Sequence, residues 1–253
     1  TRGEPEALAR AGYRTLGAQR FGPATSETIQ SSLGDVPMLW VETEHFRLGS
    51  CLLEYKPTQP EEIEELKLEL AELGKTVERV PPKPKKLDPW LRLHLFARRL
   101  ERLHAELVAR LGLDAKGDRR GRAPALAMRE KFLVLLTQKK STLARFTREY
   151  CGVERGESYL HTFSDLGALF FGVSDESVAL GDAELHYATV YGVTQNLLYG
   201  INGFPHLLPT WWTNGLALWF ARACEPRVLL YAKPANEMLP PAELADWQPL
   251  VRG

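Results

Sequence analysis

Apolar residues recur along this chain with two periods, one near 3.6 residues and one near 2, and the changes between them predict its elements. PEALARAGYRTLG (5–17) reads as a short helix closed by Gly17. From Phe21 to Val36, Gly, Pro, Ser and Thr dominate, which predicts a loop. MLWVETEHFRLGSCLLEY (38–55) is rich in β-branched and aromatic residues with partial alternation, and predicts a strand or hairpin. Helical spacing returns behind Thr58-x-x-Glu61, a capping-box pattern with Pro60 in the first turn, where Ile63, Leu66, Leu70 and Leu73 form one stripe. Glu61, Glu62, Glu65, Glu69 and Glu72 occupy the remaining faces and read as a solvated acidic surface that suits the helix macrodipole.

A proline-lysine spacer (80–89, four prolines) precedes Asp88, which is placed to cap a long helix with Pro89 at its first position. Phe96, Leu100, Leu103, Leu107 and Leu111 give that helix its apolar stripe, while His94 and His104 fall about 80° apart around it. A basic connector, AKGDRRGRA (115–123), reads as a solvated loop. KFLVLLTQ (131–138) has the continuous apolar character of a buried strand. Ser141 then caps a helix to Tyr150 that ends at Gly152, and SYLHTF (158–163) and GALFFGV (167–173) make a hairpin through Ser164-Asp165-Leu166. Two helices follow, Gly181–Ile201 and 208–223, with a turn at Asn202-Gly203-Phe204-Pro205, before a proline-rich tail. The expected fold is α+β and helix-dominated, with a small sheet. Its expected divisions are a segment 1–37, a domain 38–225 with a helical insert 58–114, and an irregular tail 226–253.

Composition narrows the function classes. Lys plus Arg and Asp plus Glu both total 32, so a nucleic-acid partner is not expected. No apolar run approaches the ~18 residues that a membrane span needs. Cys51, Cys151 and Cys224 form no C-x-x-C pair, which leaves either three buried thiols or one disulfide and a free thiol. Phosphate-loop, dinucleotide, nucleophile-elbow and calcium-loop signatures are absent. So is H-E-x-x-H, and among His45, His94, His104, His161, His186 and His206 no pair stands at i, i+3 or i+4. Trp211, Trp212 and Trp219 are read as core residues rather than an aromatic platform.

Two phrases carry a family resemblance. EHFRL (44–48) looks like the opening strand of the peptidase MA-like, or gluzincin, zinc metallopeptidase domain. LPTWWTNGLALWFARA resembles the family's LP-x-W-x-x-EGLA-x-[YF]F phrase, matching at Leu208, Pro209, Trp211, Gly215, Leu216, Ala217 and Phe220. The family's third zinc ligand, a glutamate, falls on Asn214. The preceding H-E-x-x-H helix corresponds to 190–201, with the motif on Thr194-Gln195-Asn196-Leu197-Leu198 or on Gln195-Asn196-Leu197-Leu198-Tyr199.

Neither register holds a histidine or a glutamate. A catalytic zinc needs three protein donors, and its bound water needs a general base; amides, hydroxyls and an alkyl group supply neither. The resemblance therefore implies a degenerate, non-catalytic relative with no cofactor and no metal, with Thr194, Gln195, Asn196, Leu198, Tyr199 and Asn214 lining a vestigial groove for a protein or peptide. It also implies an extracytoplasmic, secreted or periplasmic, setting, compatible with a start at Thr1 rather than Met. The rival expectation is an active hydrolase built from His186 and His206 with Asp182, Glu184 or Cys224. The sequence sets no oligomeric state.

Overall fold

The computed structural model describes residues 4–82, 85–113, 130–201, 208–228, 231–232 and 238–239. The basic connector 115–123, the turn at 202–205 with His206, and most of the tail lie outside the described residues. The elements are α1 (Pro5–Ala11), β1 (Thr15–Leu16), β2 (Arg20–Phe21), β3 (Ala24–Thr25), α2 (Ser26–Ser32), β4 (Leu39–Glu42), β5 (Phe46–Ser50), α3 (Pro60–Leu73), α4 (Pro89–Arg110), β6 (Phe132–Thr137), α5 (Lys140–Cys151), β7 (Ser158–Phe163), β8 (Ala168–Ser174), a 3-10 turn (Asp175–Ser177), α6 (Asp182–Ile201), α7 (Thr210–Cys224), and a short pair, β9 (Tyr231–Ala232) and β10 (Met238–Leu239). The fold is α+β, with a mixed six-stranded sheet in the order β1-β4-β5-β6-β8-β7.

Strands β5, β6 and β8 run parallel, with Phe46 opposite Phe132 and Leu133 opposite Phe170, and antiparallel strands lie outside them. The two-residue period of a strand sorts side chains between the faces. Phe46, Leu48, Val134, Leu136, Phe171 and Val173 point into a core shared with α3, α4 and α6. Trp40, Leu133, Leu135 and Phe170 point the other way, against Ile29 and Leu33 near α2 and Leu143 and Phe146 of α5. Central β6 is buried at all six residues, as its uninterrupted apolar run requires.

Long-period expectations match the structure: the hairpin β4–β5, the Asp88 cap accepting from Leu91 N at 2.8 Å, the α4 stripe, β6, the hairpin β7–β8, and the packed pair α6–α7. Local details differ. The first helix ends at Ala11, because Gly12 takes the left-handed conformation (φ 77°) and Tyr13 N bonds back to Leu8 O at 2.9 Å. The expected loop after Phe21 contains the tight β2–β3 turn and helix α2. Thr25 and Thr28 close a capping box there, with Thr in place of the usual Glu or Gln. Thr58 and Ser141 are not caps; the caps are Gln59 and Lys139, without side-chain bonds. At α5 the Glu176 carboxylate accepts from Lys140 N at 2.8 Å and serves one orphan donor of that helix end. All three cysteines are free thiols.

Gly192 marks the closest approach of α6 to the sheet. A Cβ at this position would stand 2.1 Å from the Phe171 ring, well inside contact distance. Gly192→Ala is therefore expected to cost about 1–3 kcal/mol by overpacking, with no compensating space. A denaturation midpoint equal to that of the unaltered protein would show that α6 stands off the sheet.

Two buried histidines set a pH dependence. His94 accepts a bond from or donates one to the Tyr13 hydroxyl at 2.7 Å, and His104 stacks on His45 with ring centroids 3.6 Å apart. Burial pulls the pKa of each down to about 4, and for His104 the neighbouring His45 adds to the effect. Unfolded histidine titrates near about 6.5, so between these values the unfolded chain binds more protons. The neutral imidazoles thus contribute stability above about pH 6.5 that is lost as pH falls towards about 4, at about 3 kcal/mol each. Urea denaturation from pH 7 to 4 is expected to show a shallower acid loss for His104→Gln than for the unaltered protein; identical slopes would remove His104 as a contributor.

Candidate functional site

Helices α6 and α7 make the most extensive helix–helix contact in the structure. Helix α6 is buried on nearly all sides, which its long apolar sequence with few charges dictates. Against it α7 places Thr213, Ala217, Phe220 and Ala221 inward. This seating carries Asn214 to Gln195, whose Nε2 donates to Asn214 Oδ1 at 2.6 Å and also reaches the Tyr191 hydroxyl at 3.4 Å. Burial raises the Tyr191 pKa, so it stays a neutral hydroxyl. Tyr199, one turn beyond Gln195, and Asn214 are both half-buried.

Thr194 and Leu198 are turned inward with no exposure, and Thr194 Oγ1 has no partner among the described residues. Asn196 is buried as well. Of the expected site residues, then, Gln195 and Asn214 meet, Tyr199 neighbours them along α6, and Thr194 and Leu198 belong to the core. The convergent groups are amides and phenols. They donate and accept hydrogen bonds, but none is a base at neutral pH, and none is a strong zinc donor. Among the described residues no three His, Cys, Asp or Glu side chains are placed to hold a metal ion.

The tryptophans depart from expectation. Trp211 is 76% exposed and Trp219 46% exposed, while Trp212 is half-buried. With Gly215 open between them, Trp211 and Trp219 lie on the outward face of α7, and Arg110 stacks over the Trp219 ring at 4.7 Å. Apolar composition had placed them in the core; helix phase puts Ala217 and Phe220 there instead.

At the other end of the same two helices stands a charged cluster that the sequence reading missed. Arg92 is bonded to Asp175 and Asp182. Arg99 bonds Glu69 through Nε at 2.9 Å and through a second nitrogen. His186 Nδ1 lies 2.8 Å from Glu225 Oε1, and Arg227 bridges Glu225 and Glu65. The Tyr55 hydroxyl donates to Glu62 at 2.8 Å. Glu62 and Glu69 thus turn inward from the acidic surface expected of α3. Burial would raise the Glu69 carboxyl, but Arg99 beside it holds its pKa below the usual carboxylate range.

Of the rival constellation, His206 lies outside the described residues, and the other members have partners or surroundings of their own. Asp182 is held by Arg92, Glu184 accepts from Ala179 N and Leu180 N, and burial pushes the Cys224 thiol up to about 11. His186 meets Glu225, a residue that carried no motif. A signal existed in the i, i+4 spacing of Asp182 and His186 and in Arg92 and Arg99, both set within the apolar pattern of α4.

The described class is an α+β protein whose sheet-packed helix pair carries a neutral amide pair at one end and a charged cluster at the other. The chain matches no known family, no curated protein and no solved structure.

The Gln195–Asn214 bond is expected to contribute about 1 kcal/mol. A double-mutant cycle of Gln195→Ala and Asn214→Ala, read by urea denaturation, is expected to return a coupling of that size. Strict additivity would mean that the two amides do not bond in solution.

Proposed function

We propose that this chain is a catalytically silent relative of the gluzincin metallopeptidases, in which the helix pair and neighbouring sheet edge bind an extended protein segment without cutting it. The observation that carries the reading is the Gln195–Asn214 bond. It joins the two positions that the resemblance assigns to the first and third zinc ligands in the Gln195–Tyr199 register. In the Thr194–Leu198 register the ligand positions of α6 face the core. The order of elements, with the strands, α4 and the hairpin preceding α6 and α7, agrees with the same resemblance.

The binding surface follows from the sheet. Among the described strands β7 pairs only with β8, so its outer edge presents unpaired backbone groups. Phe171, which Gly192 of α6 covers, stands in register with Leu160 of β7, and α6 also contacts β7 itself. An extended segment can add to β7 by main-chain hydrogen bonds and reach the amides with its side chains. The extracytoplasmic setting implied by the resemblance belongs to this proposal.

Elemental analysis after chelator-free purification is expected to find substoichiometric zinc, and mixed peptides incubated with the protein are expected to remain intact by mass spectrometry. An array of extended peptides should retain the unaltered protein and hold the Gln195→Ala, Asn214→Ala double variant about tenfold less strongly, as expected for the loss of about 1.4 kcal/mol of polar contacts. About one zinc per chain, together with cleavage that Gln195→Ala abolishes, would overturn the non-catalytic reading.

A further inference from the structure

A cavity of about 370 Å³ opens between α3, α4, the first half of α6 and the end of α7, away from the Gln195–Asn214 pair. Glu69, Arg99, Arg102, His186, Cys224 and Glu225 form part of its wall. Each carboxylate there already has a partner: Glu69 bonds Arg99, Glu225 bonds His186 and Arg227, Glu65 bonds Arg227, and Glu106 bonds Arg110. Three groups keep free capacity among the described residues. Arg99 holds Glu69 through Nε and one of its two terminal nitrogens, which leaves the other. Arg102, exposed at the wall, has no bonded carboxylate. His186 uses Nδ1 on Glu225 and has no hydrogen-bond partner at Nε2.

The tautomer follows from the neighbours. Glu225 is held ionised by His186 and the nearby guanidiniums against its own burial, so Nδ1 carries the proton and Nε2 the lone pair. Burial, and then Arg99, disfavour the imidazolium. Arg99, Arg102 and His186 all line this one cavity together with Glu69. The wall therefore offers guanidinium donors beside a neutral acceptor. A fully deprotonated oxyanion would satisfy the arginines but set its own lone pairs against Nε2. An oxyanion that retains a proton satisfies both, and phosphate at neutral pH keeps a P–OH group.

We propose that this cavity binds inorganic phosphate, with its charged oxygens on Arg99 and Arg102 and its P–OH donated to His186 Nε2.

Calorimetric titration of the full chain at constant ionic strength tests this with inorganic phosphate, glycerol phosphate and sulfate as probes. Saturable phosphate binding is expected, with sulfate about tenfold or more weaker because it has no proton to offer His186 Nε2. Arg102→Ala, at an exposed position that leaves the fold intact, is expected to weaken phosphate about tenfold. His186→Gln should narrow the preference for phosphate over sulfate. Glycerol phosphate, at neutral pH mostly a dianion without P–OH, is expected to bind more weakly than inorganic phosphate, and tighter binding would overturn the proton-donating contact. Absence of saturable phosphate binding, equal affinity for sulfate, or unchanged affinity in Arg102→Ala would overturn it. Because Gln195 and Asn214 lie outside the cavity, these outcomes are independent of peptide binding.

Discussion

The guanidinium of Arg92 is the fixed point on which the arrangement of sheet and helices depends. It is 1% exposed, and it donates to Leu53 O at 2.6 Å, to Asp175 Oδ1 at 2.9 Å and to Asp182. Asp175 Oδ2 accepts from Gln138 Nε2 at 2.7 Å, and Gln138 Oε1 accepts from Leu53 N at 2.8 Å. These bonds close a ring through the chain just beyond the ends of β5, β6 and β8, the three parallel strands, and through the start of α6. Two carboxylates on one buried guanidinium give that charge the paired and hydrogen-bonded setting in which burial is tolerated; removing one partner from such a group typically costs about 3–5 kcal/mol. Through this ring α4 determines where α6 begins, and the start of α6 determines where Gln195 arrives.

Along α6 the chemistry changes with position. Its first turns carry Asp182 and His186, each tied to a residue far away in sequence. Its last turns carry only neutral polar groups, Gln195, Asn196 and Tyr199. A neutral amide can be buried with a single partner, whereas an ion needs a paired and hydrogen-bonded environment. The charged end is accordingly built from four helices, and the neutral end from two. Gly192 separates them at the position where only hydrogen fits between α6 and Phe171.

Both ends are short of full satisfaction. The amide pair at Gln195 and Asn214 has free lone pairs and protons. His186 Nε2 and Arg102 have capacity that the surrounding ion pairs leave unused. A protein interior normally consumes such capacity, and two unconsumed sites on one helix pair define where ligands are to be sought.

The sequence alone determined those features that a local period can carry. The 3.6-residue stripe of α4, the continuous apolar runs of β6 and β8, the alternation of β7 and the Asp88-Pro89 start are each set by residues within one element, so they were readable. Helix α2 was not, because its apolar content is slight and its box uses Thr25 with Thr28. Nor was the outward setting of Trp211 and Trp219, since a helix that is apolar all round does not reveal its phase until a partner chooses the buried face. The pairing of Gln195 with Asn214 was approached from the resemblance, but which of two registers meets Asn214 was decided by how α7 seats on α6. The inward turn of Glu62 and Glu69, the ring around Arg92 and the bond between His186 and Glu225 join residues as far apart as 90 positions. Charge in a sequence reads as solvated; only the tertiary fold, by bringing the opposite charges together where water is excluded, makes burial affordable.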